Sequence, residues 1–216
     1  AFNDALKSDP SCFQALMGLC RAYGDLDQWV ESLSVAKRAL SLNLSSHDAA
    51  FWVAFSLHKL DRTQDAVSAY RVALNISPVA AQTHLHLAAA LEGLGEVKDA
   101  LSHYELATNV NPEFSVAFSY WGALLQKCGD LKSAIDKCRR AVEIDPSSAD
   151  AWLGLGTSLH ESGEIEEANA IYRKAIELKP DFAEAYLNLG NILKGEGEFE
   201  EAVANYRTSI HVKPDF

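Results

Sequence analysis

The chain has 216 residues, 48% of them hydrophobic, and it carries a formal net charge of −11 at pH 7. A strongly acidic protein repels the phosphates of nucleic acids and the headgroups of anionic membranes, so we expect neither as a partner. No apolar run in the sequence is long enough to cross a bilayer, and the first residues lack the pattern of a signal peptide.

The sequence repeats with a period of 34 residues, and no insertion interrupts the period. Residues 1–12 have the pattern of the end of a helix, and six full segments follow: 13–46, 47–80, 81–114, 115–148, 149–182 and 183–216. All six prolines fall in one phase of this period: Pro10, Pro78, Pro112, Pro146, Pro180 and Pro214. Leu44 takes the equivalent place in the first full segment, which is the most divergent one.

Each segment is predicted to form two helices separated by a turn. In segment 183–216 the first helix has one apolar or small face, formed by Tyr186, Leu189, Gly190 and Leu193. The second helix has a similar face, formed by Ala202, Tyr206 and Ser209. A turn at Gly195–Gly197 separates the two helices, because two glycines in three residues interrupt a helix.

Two positions of the period hold small residues in every segment, and a third is mostly aromatic. The eighth position holds a small residue: Cys20, Ala54, Ala88, Gly122, Gly156 and Gly190. The twentieth position is also small: Ser32, Ala66, Ala100, Ala134, Ala168 and Ala202. The twenty-fourth position is mostly aromatic: Ala36, Tyr70, Tyr104, Cys138, Tyr172 and Tyr206. This pattern predicts two closely packed helices, with a large side chain between them.

These markers resemble the tetratricopeptide (TPR) repeat, and the resemblance covers the whole chain. It implies an all-α fold, a right-handed α-solenoid superhelix of antiparallel helix pairs, with residues 1–216 forming one solenoid. Terminal repeats of such solenoids are normally covered by a polar helix. No such helix follows the last segment, so we expect either a longer protein or end-to-end self-association through that segment.

No catalytic or metal-binding arrangement stands out in the sequence. Phosphate-binding loops, nucleophile elbows and HExxH motifs are absent. His84 and His86 are two residues apart on a helix and so point in different directions, which argues against a shared metal ion. The four cysteines lack CxxC spacing and are predicted to be reduced structural thiols, which suits the cytoplasm or, as an alternative, the nucleus. We therefore predict no enzyme active site, no cofactor and no metal.

The candidate binding residues lie on the first helix of each segment. In TPR proteins similar to this one, positions 2, 5, 6, 9, 12 and 13 line a concave groove that binds peptides. The resemblance therefore predicts these peptide-binding residues: Trp52, Phe55, His86, Tyr120, Asn188 and Asn191. Aromatic side chains in a groove suit a peptide with apolar anchors. Two alternatives stay open for Trp52 and Phe55, which either line the groove or turn into the core to compensate for Ala50.

Two branches of the family hold their ligands with other side chains. The carboxylate-clamp repeats use clustered Lys, Arg and Asn, whereas this groove offers only scattered cations. The arm of O-linked N-acetylglucosamine transferases uses a ladder of asparagines, and only Asn188 and Asn191 in the last segment match it. The asparagine pattern is therefore supported in one segment and absent from the others.

The sequence predicts a non-catalytic scaffold or adaptor that binds a peptide or protein segment in its concave groove. The first alternative is the substrate-recruiting arm of a larger enzyme such as a glycosyltransferase. The second alternative is an architectural subunit of a multiprotein complex. The fold alone does not choose among these functions.

Overall fold

The computed structural model describes residues 12–214, and this part of the chain contains twelve α-helices and no strand. The chain divides into two compact units, Ala1–Pro112 and Glu113–Phe216. Unit 1 contains α1 (Phe13–Asp25), α2 (Trp29–Leu42), α3 (His47–Lys59), α4 (Thr63–Ile76), α5 (Ala81–Gly93) and α6 (Val97–Val110). Unit 2 contains α7 (Ser115–Lys127), α8 (Leu131–Ile144), α9 (Ala149–Ser162), α10 (Ile165–Leu178), α11 (Ala183–Glu196) and α12 (Phe199–Val212).

Consecutive helices pack as pairs, and successive pairs stack within each unit. Each of the six 34-residue segments predicted from the sequence contains one such pair. The predicted all-α class, built from repeated helix pairs, is therefore confirmed. The end of a helix predicted in residues 1–12 lies, apart from Cys12, outside the described residues. Across residues 12–214, no helix is both long enough and apolar enough to span a membrane.

The two helices of a pair approach closely at the eighth and twentieth positions of the period. The residues of these two positions are buried in every described pair, for example Ala54 with Ala66 and Gly156 with Ala168. The first pair holds a polar residue there, but its hydroxyl is satisfied because Ser32 Oγ donates to the carbonyl oxygen of Cys20 at 3.1 Å. Small side chains at both positions thus fix the spacing of the backbones, and larger side chains pack around them.

The turn inside each pair contains one residue in the left-handed region of backbone conformation. Glycine occupies this place in the four later pairs, at φ values between 77° and 88°. In the first two pairs Asp27 (φ 55°) and Asp61 (φ 57°) occupy it instead. Aspartate tolerates this conformation better than most residues because its short side chain can hydrogen-bond locally. The turn is therefore kept in the pairs that lack the glycine.

A column of aromatic rings fills the space between the helices. Tyr70, Tyr104 and Tyr172, all at the twenty-fourth position, are fully buried. The ring of Tyr172 lies so close to α9 that a β-carbon at Gly156 would be 2.7 Å from Tyr172 Cε1, and Gly190 has the same relation to Tyr206. Glycine at the eighth position therefore makes room for the ring.

Arginine–glutamate pairs connect successive second helices of unit 2 on their exposed side. Arg139 contacts both carboxylate oxygens of Glu167 at 3.0 Å, and Arg173 contacts Glu201 at 2.7 Å. The two pairs occupy the same positions of the period, so they form a short ladder. All four side chains are substantially exposed, so each pair is expected to contribute at most about 1 kcal/mol.

Candidate functional site

Unit 1 gathers six rings around the first helices α3 and α5. We call this group the aromatic cluster: Trp29, Phe51, Trp52, Phe55, Tyr70 and His86. Phe55 is its centre, with ring centroids 5.5 Å from Trp29, 5.8 Å from Trp52 and 4.9 Å from His86. The cluster explains why three aromatic residues follow one another so closely on α3.

Trp52 belongs partly to the core and partly to the surface. Its side chain packs against the buried cluster of Leu16, Met17, Ala39 and Ala49, and a β-carbon at Gly24 would be only 2.9 Å from its ring. The rest of the ring borders an open cleft. Trp52 therefore packs in part against the core, and its role in peptide binding stays a prediction.

The cleft next to the aromatic cluster, called here the aromatic cleft, has a volume of about 380 Å³. Its lining residues come from α1, α3 and the start of α5: Arg21, His47, Asp48, Phe51, Trp52, Ala80, Ala81, Gln82 and Thr83. His47 Nε2 lies 2.9 Å from Thr83 Oγ1, which ties the first turn of α3 to the first turn of α5. The cleft thus combines an aromatic wall with exposed polar residues such as Arg21 and Gln82.

His86 is held neutral inside the aromatic cluster. Burial, reinforced by the nearby positive charges of His58 and Lys59, lowers the pKa of His86 to about 4. Lys59 Nζ lies 5.7 Å from the ring centre of Trp29 and 5.5 Å from that of Phe55. The surface therefore offers rings, a neutral imidazole and the ammonium group of Lys59, a combination suited to apolar and aromatic ligands.

A second cleft lies in unit 2 between the first helices α7 and α9. This Cys138 cleft has a volume of about 410 Å³ and is lined by Ser115, Val116, Ser119, Tyr120, Ala123, Cys138, Ser148, Asp150, Ala151 and Gly154. Tyr120 and Val116 form one wall and are 50% and 49% exposed. Cys138 lies at the bottom and is only 2% exposed.

A third hollow of about 500 Å³ lies near the ends of α10 and α12. Lys179, Asp181, Glu184 and Lys213 are among its lining residues, so its charges are mixed. None of the binding residues predicted from the sequence lines it.

The structure brings some of the predicted binding residues together and separates others. Trp52, Phe55 and His86 meet in the aromatic cluster, and Tyr120 lines the Cys138 cleft. Neither Asn188 nor Asn191 lines one of these clefts. Asn191 Oδ1 accepts a hydrogen bond from the hydroxyl of Tyr206 at 2.9 Å, so this side chain has a contact within its own helix pair. Their part in ligand binding stays a prediction.

Sequence reasoning missed two members of the sites. Trp29 was not among the predicted binding residues, but its ring contacts Phe55 on the next pair. The Cys138 cleft was not predicted, although Cys138 stands where the neighbouring segments carry tyrosine. A comparison of this position across neighbouring segments would have indicated it.

The remaining histidines and the cysteines do not gather into a metal-binding group in residues 12–214. His84 is paired with His103, with 3.0 Å between their Nδ1 atoms, and His84 Nε2 lies 2.9 Å from the carbonyl oxygen of Pro78. Within the described part of the chain, no group of three or more His, Cys, Asp or Glu could hold a metal ion. Burial raises the pKa of Cys20 and of Cys138 to about 11, so both remain protonated thiols at neutral pH.

Comparison with known proteins identifies the repeat. Sequence profiles described as tetratricopeptide repeat match residues 125–172 and 183–216, and one described as TPR repeat matches residues 156–197. A comparison with curated proteins gives no significant match.

Several solved structures share the fold. PilF of Pseudomonas aeruginosa is 17% identical with a TM-score of 0.84, and the match covers 96% of this chain and 94% of that one. A crystal structure of MamA is 25% identical with a TM-score of 0.69, covering 75% and 95%. YrrB, described as a TPR protein with an unusual peptide-binding site, is 23% identical with a TM-score of 0.68, covering 83% and 93%.

Proposed function

Because the chain is a tetratricopeptide repeat protein, with its repeats matched over residues 125–216, we propose that it is a non-catalytic scaffold or adaptor that binds a segment of another protein. We include all six helix pairs in one repeat domain. The observation that carries the proposal is the aromatic cleft of unit 1. Large rings border an open cleft there instead of being fully buried, and such rings commonly carry most of the binding energy at interfaces.

The chemistry of the cleft favours an extended or helical protein segment with an apolar anchor. Phe51 and Trp52 supply apolar surface, while Arg21, Asp48 and Gln82 supply polar contacts around it. This combination of an apolar centre and a polar rim is the usual composition of a specific interface. YrrB, a related fold described as having a peptide-binding site, gives the same proposal indirect support.

A scaffold of this kind needs no catalytic group. The buried thiols of Cys20 and Cys138 have raised pKa values and are poor nucleophiles at neutral pH. The recruiting arm of a larger enzyme would use the same binding surface. The asparagine ladder that would favour such an arm is limited here to Asn188 and Asn191, and Asn191 already contacts Tyr206.

The test is a selection of peptides displayed on phage, with the purified chain as the target. Selected peptides are then titrated against the parent and against Gln82→Arg, which places a large cation in the mouth of the aromatic cleft. Gln82 is exposed, so the fold should be retained. The matched control is Gln64→Arg, an equally exposed glutamine on α4 that does not line this cleft.

We expect Gln82→Arg to weaken binding at least tenfold, which corresponds to about 1.4 kcal/mol, and Gln64→Arg to leave it unchanged. If no peptide is selected, or if both variants bind as the parent does, the aromatic cleft is not a binding surface. Circular dichroism checks that each variant keeps the helix content of the parent.

A further inference from the structure

The helix pair α7–α8 keeps the glycine that makes room for a ring, but it lacks the ring. In the two pairs that follow, Gly156 faces Tyr172 and Gly190 faces Tyr206, with 2.7 Å between a built β-carbon and the ring in each. In α7–α8 the same glycine, Gly122, faces the sulfur of Cys138, which a β-carbon would approach to 2.5 Å. A cysteine therefore occupies only the first part of the space that tyrosine fills elsewhere.

The rest of that space extends toward the first helix of the same pair. The hydroxyl of Tyr206 reaches Asn191, at the ninth position of its segment, and donates a hydrogen bond of 2.9 Å. In the segment 115–148 the ninth position is Ala123, which lines the Cys138 cleft. The cleft therefore lies where the outer part of a tyrosine ring would lie.

The mouth of the cleft is open because α9 has a glycine at its sixth position. A β-carbon at Gly154 would meet only Cys138 Sγ, at 3.7 Å, and no other neighbour within 4 Å. The sixth position varies along the chain: it is a large ring at Trp52, His86 and Tyr120, but glycine at Gly18 as well as at Gly154. The short side chain of Cys138 and the missing side chain of Gly154 thus combine to leave a space that is accessible from outside.

The walls of the cleft suit an aromatic side chain. Val116, Ala123 and Ala151 are apolar, Tyr120 presents a ring, and sulfur makes favourable contacts with aromatic rings. Burial raises the pKa of Cys138 to about 11, so the sulfur carries no charge that would oppose an apolar ligand.

The rim of the cleft carries one carboxylate. Asp150 lies in the first turn of α9, is exposed and makes no ion pair within residues 12–214. The neighbouring hydroxyls are engaged in the fold: Ser115 Oγ donates to the carbonyl oxygen of Ala141, and Ser148 Oγ accepts from the backbone N–H of Ala151. A ligand would therefore find a negative charge next to an apolar space.

We propose that the Cys138 cleft binds an aromatic side chain of a partner protein, from a segment in which a lysine or arginine next to the aromatic residue pairs with Asp150. The cleft occupies the place of a tyrosine ring, so an aromatic side chain of the partner fits it. The negative charge of Asp150 favours a basic residue next to that side chain. This inference rests on the proposed function and names the partner chemistry for a second part of the same protein.

The test uses the peptide acetyl-Gly-Gly-Lys-Phe-Gly-Gly-amide as the probe and NMR titration of the whole chain as the readout. We expect the methyl signals of Ala123 and Ala151 to shift on binding. A peptide with alanine in place of phenylalanine should bind at least tenfold more weakly, because the lost ring is the anchor. A peptide with glutamate in place of lysine should bind about threefold more weakly, and Asp150→Asn should remove this preference.

The decisive variant is Cys138→Tyr, which fills the cleft with the residue that other pairs carry. Gly122 already provides the room for a ring, so the fold should be retained. Binding of the probe should fall at least tenfold. The matched control is Cys128→Tyr, which adds the same residue at an exposed position outside the cleft and should leave binding unchanged. If Cys138→Tyr loses helix content, Gly154→Leu closes the mouth from the other helix and must give the same loss.

The outcomes separate this inference from the proposed function. Selected peptides that lose binding in Gln82→Arg but keep it in Cys138→Tyr support the aromatic cleft, and the lysine–phenylalanine probe then tests the Cys138 cleft separately. Equal binding of the lysine–phenylalanine probe by Cys138→Tyr and the parent overturns the Cys138 cleft. A dimer of the chain that Cys138→Tyr dissociates, measured by sedimentation, would make a second copy the occupant and overturn the proposed partner.

Discussion

Acidification should destabilise unit 1 through His86, and replacing this residue by phenylalanine should remove that effect. Burial lowers the pKa of His86 to about 4, whereas a histidine in the unfolded chain titrates near about 6.5. Between these two values the unfolded chain binds a proton that the folded chain excludes. The stabilisation from the neutral imidazole is therefore present above about pH 6.5 and is lost as the pH falls toward about 4.

The magnitude follows from the two pKa values. Between about pH 7.5 and about pH 5, a shift from about 6.5 to about 4 changes the free energy of unfolding by about 2 kcal/mol. His58 and His103 add to the effect in the same direction, because burial is the main cause that lowers the pKa of each. The range stops at about pH 5 because carboxylates titrate below it and would obscure the histidines.

The assay is urea unfolding followed by tryptophan fluorescence in a background that reports only on unit 1. Trp121 and Trp152 lie in unit 2 and are both replaced by phenylalanine, which leaves Trp29 and Trp52 as the probes. The free energy of unfolding is measured at about pH 7.5 and at about pH 5, and its loss on acidification is calculated. This loss is compared between the parent without the unit 2 tryptophans and the same protein carrying His86→Phe. Phenylalanine keeps a ring against Phe51 and Phe55 but cannot be protonated.

We expect the parent to lose about 2 kcal/mol more than His86→Phe on acidification. A matched control, His211→Phe, changes an exposed histidine of unit 2 and should leave the pH dependence of unit 1 as in the parent. A difference of less than about 0.5 kcal/mol between parent and His86→Phe would refute the reasoning, because His86 would then be accessible to protons in the folded protein.

Three further predictions concern stability near neutral pH, each measured as the free energy of unfolding in urea. Cys138→Tyr should stabilise unit 2 by about 1 kcal/mol, because it fills space that is open in the parent, and a loss of stability would show that no ring fits there. Asp27→Gly should stabilise unit 1 by about 0.5–1 kcal/mol, because glycine adopts a positive φ without strain. The control Asp25→Gly, at the last residue of α1, removes the same charge where φ is not positive and should not give this gain. Arg139→Met should cost at most about 1 kcal/mol, because its pair with Glu167 is exposed; a larger loss would mean that the arginine–glutamate ladder acts as a unit.

The repeat period predicted the helices because its signal is local and is present in every segment. Small residues at two positions and an aromatic residue at a third specify a helix pair without reference to distant parts of the chain. The turn in the first segment was harder to place, because Asp27 provides the left-handed conformation that glycine provides later. A search for the usual turn residue overlooks such a substitution, although its position in the period is unchanged.

The binding surfaces were less accessible from sequence because they depend on contacts between segments. Trp29 meets Phe55 across two helix pairs, and no pattern within one segment shows this contact. Such contacts depend on how neighbouring helix pairs stack. The 34-residue period predicts the pairs themselves but not which side chains meet between them.

The two clefts show how one repeat framework produces different surfaces. In unit 1 the sixth and ninth positions of α3 carry the added rings Trp52 and Phe55, and the cleft arises at the edge of a crowded cluster. In unit 2 a ring is missing at Cys138, and the cleft arises from the space that remains. The backbones tolerate both changes because their spacing depends on the small residues of the eighth and twentieth positions, which are buried in both units. Residues that face the clefts can therefore vary with the ligand while the helix pairs stay in place, so we expect a partner to be recognised through the departures from the repeat pattern and not through the pattern itself.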